Sequence, residues 1–527
     1  MGSTSLTDRA MARVIARRAE YGASDLWSAE PHDLLSASAA RRPAAPAVAD
    51  RSEHLSYAEL DAAVEAAAGA IVGHGVAVGD PVLVVVENDV DSVVAIHAAL
   101  RVGALTMVAP LSAGAAQLAD ITAHTSPTLA IGPVSLVAGD AIAGAPWCTA
   151  ESLRSGDPAM AARSDRPADE PSVVIFTSGT TSRPKGVVHS LSTLQVASRN
   201  YIDCAALSSA DRLFVVSPLA SVTGILQAIT VTPMIDALVI LESKWDPAST
   251  CDLLLETKGT FFGGPDLLLD RLLDEVEARG QSETTIGAVY LGGTMLDPRI
   301  LDRVERDFGI VVMRAYGSSE APISTAGARA ESQAQRLADD GAPLGDVQVR
   351  SGSAADPTEL CIRGPHLFLG YVHEDDDDHA FEDDWFCTGD VADLSGGRVK
   401  IIGRIRDIVI RKGMKVPISE VEGYLNALRG VQRTAGYSVP DPETGERLAV
   451  AVLLDEGVAP SDLGDLGAIG ESLIAAGLAK WKLPEELVIW DEDFPENAAG
   501  KVLRNDLAEA GAGRPRVVAP RLKEKAR

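Results

Sequence analysis

Cysteine is scarce in this sequence: 5 in 527 residues, scattered at Cys148, Cys204, Cys251, Cys361 and Cys387, with no CxxC pair and no histidine cluster beside them. That spacing excludes a disulfide framework and a structural zinc site, and it fits a reducing, cytoplasmic compartment. Positive charge is short too. Lys+Arg total 47 against 75 Asp+Glu, a formal net charge of −28 with histidine neutral. Such a field repels nucleic acid and anionic membranes, so neither is expected as a partner. The first ten residues lack the apolar core of a signal peptide. One stretch without charge, 213–235, is long enough to span a bilayer. It contains Pro218, Gly224 and Pro233, with Ser217, Ser221, Thr223, Thr230 and Thr232 between them. It reads instead as a buried strand at 213–216, a turn, a short buried helix and a second strand at 237–241, with no membrane span.

What is present is ordinary globular material. Hydrophobic residues at 46% and charged residues at 23% exclude a disordered or fibrous chain. At about 100–200 residues per domain, the length provides for roughly two to four packing units. Ser56-Tyr57-Ala58-Glu59 has the form of a capping box, and Leu60, Val64, Ala67 and Ile71 follow at helical spacing until Gly73 and Gly75. The β-branched run 82–86 then predicts a strand buried on both faces. Similar helix-then-strand units recur at 92–107, 249–262 and 299–314, which points to α/β layers with mostly parallel sheets. From 356 to 402, short alternating runs with Gly-Pro and Gly-Gly turns predict antiparallel structure. Ser419-Glu420-Val421-Glu422 has the form of a second capping box, opening a helix that Gly430 closes. The expected organisation is a large domain over 1–403, a hinge at 404–407 and a compact α+β unit over 408–527. The basic tail from 514 is expected to be frayed. The acidic run at 374–378 lacks EF-hand spacing and is expected to be a solvated loop.

The predicted strand 173–177 runs straight into Ser178-Gly179-Thr180-Thr181-Ser182-Arg183-Pro184-Lys185-Gly186. Small hydroxyl residues and glycines let backbone N–H groups and Oγ atoms curl around phosphate oxygens, and a lysine adds charge. The P-loop pattern is not met, because Pro184 precedes Lys185 and no Ser or Thr follows it. A serine-hydrolase elbow is excluded as well, since Gly317-Ser318-Ser319-Glu320-Ala321 lacks the second glycine.

The string Thr177–Gly186 resembles the signature of the acyl-adenylate-forming enzymes, the superfamily of acyl-CoA synthetases, luciferases and peptide-synthetase adenylation domains. Further motifs resemble that family in its order: Tyr316-Gly317-Ser318-Ser319-Glu320, Trp385-Phe386-Cys387-Thr388-Gly389-Asp390, Gly403-Arg404-Ile405-Arg406-Asp407, and Gly500-Lys501 after Pro495. The resemblance spans about residues 34 to 507. It implies an α/β fold: a large N-terminal domain of α/β layers with a small β-barrel-like subdomain, then a small mobile α+β C-terminal domain.

The resemblance also implies chemistry. A carboxylate attacks the α-phosphate of ATP, so two anions must meet, and catalysis is mostly positioning and charge neutralisation. Glu320 is implied as the Mg²⁺ ligand, Ser319 as an α-phosphate contact, Tyr316 as lying against the adenine ring and Gly317 as an ATP-binding residue. Thr177, Ser178, Gly179, Thr180, Thr181 and Lys185 are implied around the phosphates, and Asp390 with Arg404 at the ribose. Lys501 is implied to reach from the small domain to the carboxylate and the α-phosphate. Gly292, Gly293 and Thr294 are implied to line the adenine and acyl pockets. In the second half-reaction the small domain is implied to turn about Arg406, bringing Gly413 to the wall of a pantetheine tunnel. In the segment Pro218–Gly224, Ser221 stands where the family commonly has an aromatic residue or histidine.

The acyl pocket is thus expected to be lined by Ser221, Thr223, Gly292, Gly293 and Ala315, all small, and to take a bulky ring or branched acid. The segments 408–417 and 479–484 are most similar to ligases for alicyclic, aryl or short-to-medium acids. The expected reaction joins a small carboxylic acid to coenzyme A with ATP and Mg²⁺. Loading of a carrier-protein thiol and a non-catalytic nucleotide-binding role stay open as alternatives, as does a homodimer.

Overall fold

The computed structural model describes residues 6–137, 144–177, 184–281, 283–292, 296, 298–378, 380–496 and 502–523. The chain divides into two compact units. The first comprises Met1–Arg350, Cys361–Cys387 and Ser395–Val399, and the second comprises Ser351–Leu360, Thr388–Leu394 and Lys400–Arg527.

Among the described residues the first unit is built on two large sheets. One runs in the order Trp147–Thr149, Leu129–Gly132, Pro81–Val86, Leu105–Pro110, Pro171–Thr177, Lys185–Ser190, parallel except for its final antiparallel pair. In the other, Val311–Tyr316, Ala288–Gly292, Phe261–Gly263, Arg212–Val215, Leu238–Leu241 and Pro46–Ala49 run parallel. Short antiparallel strands finish both edges of this second sheet.

The strand Pro81–Val86 shows why the sequence reads as it does. Val82, Val84 and Val86 face a core shared with Val48, Leu213, Val239 and Met313 of the second sheet. Leu83 and Val85 face the opposite way, against Val14, Trp27 and Met107. Burial on both faces demands an unbroken apolar run, and each fully buried aliphatic side chain contributes about 1.5–3 kcal/mol. Helices Tyr57–Gly73, Val90–Val102 and Leu191–Ala205 supply Leu60, Val64, Val93, Leu194 and Tyr201 to the core between the sheets. On the far face of the second sheet, Phe214, Ile240 and Phe262 pack with Leu254 and Leu269 of helices Pro247–Thr257 and Asp266–Ala278. The layering is therefore helix, sheet, helix, sheet, helix.

Ser56 and Glu59 form the expected reciprocal cap. The uncharged stretch forms a strand ending at Val215 and helical turns from Val222 to Ile235, and its strand Leu238–Leu241 lies in the sheet. No described helix is long and apolar enough to cross a membrane. The acidic run differs from the expected solvated loop. It forms a short helix, Glu374–Asp377, in which Asp377 takes Arg9 and Arg13 and accepts from the Tyr371 backbone N–H.

In the second unit, Ile408–Arg411 lies between Met414–Pro417 and Gly445–Leu454. Val431–Asp441 and the parallel strand Glu486–Trp490 also pair with Gly445–Leu454. Helices Ile418–Asn426 and Leu466–Ala475 cover this sheet through Val421, Leu425, Ile469 and Leu473. The second capping box does not form. The helix begins after Pro417, the Ser419 hydroxyl donates to the Ile402 carbonyl, and Glu422 accepts from Gly436 N–H and holds Arg504. The basic tail is not frayed over its described part: Arg516–Val518 pairs with Glu486–Val488, and Arg514 lies 4.1 Å over the Trp490 ring.

Candidate active site

Parallel α/β sheets place ligands beyond the carboxyl ends of their strands. In the first unit, the sequence Tyr316–Glu320 leaves the end of the strand Val311–Tyr316, whose neighbour ends at Gly292 opposite Ala315. The chain then folds back tightly. Ser318 N–H donates to the Ala321 carbonyl (3.2 Å), Ala321 N–H donates to Ser318 Oγ (3.2 Å), and Ser324 N–H donates to the Tyr316 carbonyl (3.1 Å). A Cβ at Gly317 would stand 2.7 Å from Ile323 N, and one at Gly292 would stand 2.5 Å from the Ala315 oxygen. Both glycines are required by close backbone approach.

This turn aims Glu320 at a tyrosine from a distant part of the chain. Tyr371 Oη donates to Glu320 Oε1 at 2.7 Å. Burial and then the Glu320 charge push the phenol pKa upward, so Tyr371 remains a donor. Lys185 Nζ sits 4.9 Å over the Tyr371 ring and 3.2 Å from Asp376. Thr177 and Lys185 face each other across the antiparallel pair that carries 178–183 between them. Beneath Ser319, His189 Nε2 lies 2.7 Å from the backbone carbonyl, and burial lowers the imidazole pKa to about 4. A neutral ring donates to that carbonyl without adding charge beneath the site.

Beside these residues is a cavity of about 160 Å³. Its lining includes Thr223, Gly292, Ala315, Tyr316 and Gly317, along with Tyr290. Ser221 is not among the lining residues. Its Oγ donates to the Pro218 carbonyl at 2.7 Å and accepts from Gly224 N–H at 3.1 Å, capping the helical turns that follow.

The second unit has its own set. Asp390 pairs in register with Arg404, and Arg404 Nε is 3.2 Å from Asp390 Oδ1. Asp390 is buried and Arg404 half-exposed. Arg406 is also half-exposed, 4.0 Å from Asp407. Lys412 and Gly413 form the two-residue turn between Ile408–Arg411 and Met414–Pro417, with φ of 51° and 79°. Two positive φ values define a type I′ hairpin turn, which is the local reason for a glycine there. Ser178, Gly179, Thr180, Thr181, Gly293, Thr294 and Lys501 lie outside the described residues.

Residues 35–372 match the AMP-binding enzyme family, and 420–501 match the AMP-binding enzyme C-terminal domain. The chain belongs to the AMP-binding enzyme family. Among its relatives are a probable CoA ligase of Humulus lupulus and the indoleacetate–CoA ligase of Aromatoleum aromaticum. The first is 28% identical over 491 residues, 86% of this chain and 91% of that protein. The second is 27% identical over 494 residues, 89% and 95% of the two chains. ATP-bound MatB from Rhodopseudomonas palustris superposes with a TM-score of 0.80 at 25% identity, covering 91% of this chain and 98% of its own.

In this AMP-binding enzyme Glu320 and Lys185 stand in sequence motifs, whereas Tyr371, which touches both, stands in none. Tyr371 is 51 positions from Glu320 and meets the strand Lys185–Ser190 through an isolated bridge to Val187. No local pattern signals it. His189 and Tyr290 go unsignalled for the same reason: each reads as one more residue of a buried strand. Among the described residues no cluster of three or more His, Cys, Asp or Glu side chains could cage a metal. A lone carboxylate fits Mg²⁺, which retains waters and binds nucleotide phosphates rather than dedicated protein cages.

Proposed function

We propose that this AMP-binding enzyme is an AMP-forming acid–CoA ligase. The observation that carries the reading is the connected set Lys185–Tyr371–Glu320 at the strand ends beside the 160 Å³ cavity. A cation, a neutral donor and an acidic oxygen side by side suit a site that joins a nucleotide to a small acid. The Humulus and Aromatoleum relatives are named as CoA ligases, which favours CoA over a carrier-protein thiol as acceptor.

In the first step a substrate carboxylate oxygen bonds to the α-phosphorus of ATP, and the bond from that phosphorus to the bridging oxygen of pyrophosphate breaks. Glu320 would hold Mg²⁺, which neutralises phosphate charge when bound. The Tyr371 hydroxyl fixes the rotamer of Glu320, and the fold of 317–324 fixes its backbone. Lys185 and the hydroxyl-rich loop would take phosphate oxygens, and Tyr316 would lie against the adenine. Asp390 and Arg404 are proposed at the ribose, and Lys501 at the carboxylate and α-phosphate. In the second step the CoA sulfur bonds to the acyl carbon and AMP leaves. For that step the small domain over 408–527 is proposed to turn about Arg406, exchanging Lys501 for the hairpin at Gly413.

The test is a panel of carboxylic acids with ATP and Mg²⁺, read as pyrophosphate release and as thioester formed on CoA. Acid-dependent pyrophosphate release with no thioester on CoA would transfer the acceptor role to a carrier protein. No release with any acid would sink the reading.

A further inference from the structure

The cavity wall is graded in exposure. Among its lining residues Gly292 is exposed, whereas Tyr290, Ala315 and Ile323 are only 6–8% exposed. Two of these buried residues are apolar. Tyr290 is not, and its buried hydroxyl has no hydrogen-bond partner among the described residues. Burial drives the phenol pKa upward, so the group stays protonated and remains a donor. An unmatched buried hydroxyl costs about 1–3 kcal/mol, and native interiors seldom leave one.

The surroundings hold the phenol in place without satisfying it. Gly263 is the strand partner of Tyr290, and a Cβ on Gly263 would collide with the Gln227 carboxamide. That amide donates through Nε2 to Tyr201 Oη at 2.6 Å, and the Tyr201 ring packs 4.8 Å from the Tyr290 ring, centroid to centroid. Gln227 Oε1 is likewise buried and unmatched among the described residues. The bare Gly263, the amide and the two rings therefore form one packed group with donor and acceptor capacity left over. Gln227 itself lies in a π-helical turn, Leu226–Val231, a distortion of the kind that often marks functional positions.

We propose that the buried part of this cavity wall recognises an oxygen atom on the substrate acid, and that Tyr290 is the specificity-determining residue. The inference rests on the ligase reading and narrows it. The substrate class is a ring or branched carboxylic acid with a ketone, hydroxyl or ether oxygen on the part remote from its carboxylate. That oxygen accepts from Tyr290 Oη. A cavity of about 150 Å³ takes one benzene-sized ring, so the volume of about 160 Å³ suits a single substituted ring.

The experiment compares matched acids: cyclohexanecarboxylate against its oxo and hydroxy derivatives at each ring position, and benzoate against the hydroxybenzoates. Pyrophosphate release gives kcat/KM for the wild type and for Tyr290→Phe. The wild type is expected to favour at least one oxygenated acid over its parent by roughly ten- to a hundredfold, the range set by one unmatched buried hydrogen bond. Tyr290→Phe is expected to abolish that preference by bringing kcat/KM for the oxygenated acid to the level of its parent. It removes one oxygen and adds no volume, and its thermal midpoint should equal or exceed the wild-type value. Equal kcat/KM within every pair for the wild type overturns the inference and leaves the ligase reading intact, as does a preference that survives in Tyr290→Phe. Failure of the folded wild type to release pyrophosphate with any acid overturns both.

Discussion

At the scale of single residues, the Tyr371 hydroxyl donates to Glu320 and orients its carboxylate. Glu320 sits in a recognisable string, but the tyrosine that orients it comes from 51 positions further on. Glu320→Gln should lower acid-dependent pyrophosphate release by about 10²–10³, the usual loss for one preorganised electrostatic contact. Tyr371→Phe should cost less, about tenfold for a hydrogen bond to a charged group. It should also raise the Mg²⁺ concentration needed for half-maximal rate, which a titration of rate against Mg²⁺ checks. Ser221 marks the opposite outcome. Family position suggests a pocket residue, whereas its hydroxyl is committed to capping a helix. Ser221→Ala should therefore lower stability by about 1 kcal/mol, seen as an earlier urea midpoint.

At the scale of elements, periodicity was a sound guide wherever one physical demand governed a segment. The strand Pro81–Val86 is apolar throughout because both its faces are buried, and the first capping box forms because nothing competes for Ser56 and Glu59. The second box fails because tertiary partners outcompete the local ones: Ile402 takes the Ser419 hydroxyl, and Gly436 with Arg504 takes Glu422. The acidic run and basic tail were misread for a related reason, since their counter-charges, Arg9, Arg13 and Glu486, are distant in sequence. The hairpin turn at Lys412 and Gly413 yields an element-level prediction. Gly413 has φ of 79°, and no described atom lies within 4 Å of the point where an added methyl group would stand. Gly413→Ala therefore meets backbone strain and no clash. A loss of about 1 kcal/mol in stability is expected from that strain. Under the ligase reading, thioester formation on CoA should fall more than pyrophosphate release, a split measured by running both assays on one preparation.

At the scale of the whole molecule, stability should depend on pH through imidazoles locked inside the first unit. Burial holds His189 and His366 at about 4 and about 3, below the ordinary 6.5, so both are neutral in the fold while the unfolded chain protonates. Their stabilising contribution is complete above pH 6.5 and is lost as pH falls from there towards 4 and 3, by roughly 3 kcal/mol or more for each. Denaturant midpoints measured from about pH 7.5 down to about pH 4.5 should decline steadily, and less so in His366→Gln. The layered α/β class and the antiparallel region after residue 356 were legible because they follow from composition and period. The path of the second unit was not. It gathers Ser351–Leu360 and Thr388–Leu394 to the main segment Lys400–Arg527, and inside it Lys415 pairs with Asp356 while Glu359 accepts from Gly389 N–H. A gene cut cleanly at the linear hinge would accordingly deliver an incomplete fragment. A stop codon near 403 or a start near 408 parts Lys415 from Asp356 and strips the C-terminal product of both upstream loops, so anyone expressing the halves separately should plan on grafting those loops back.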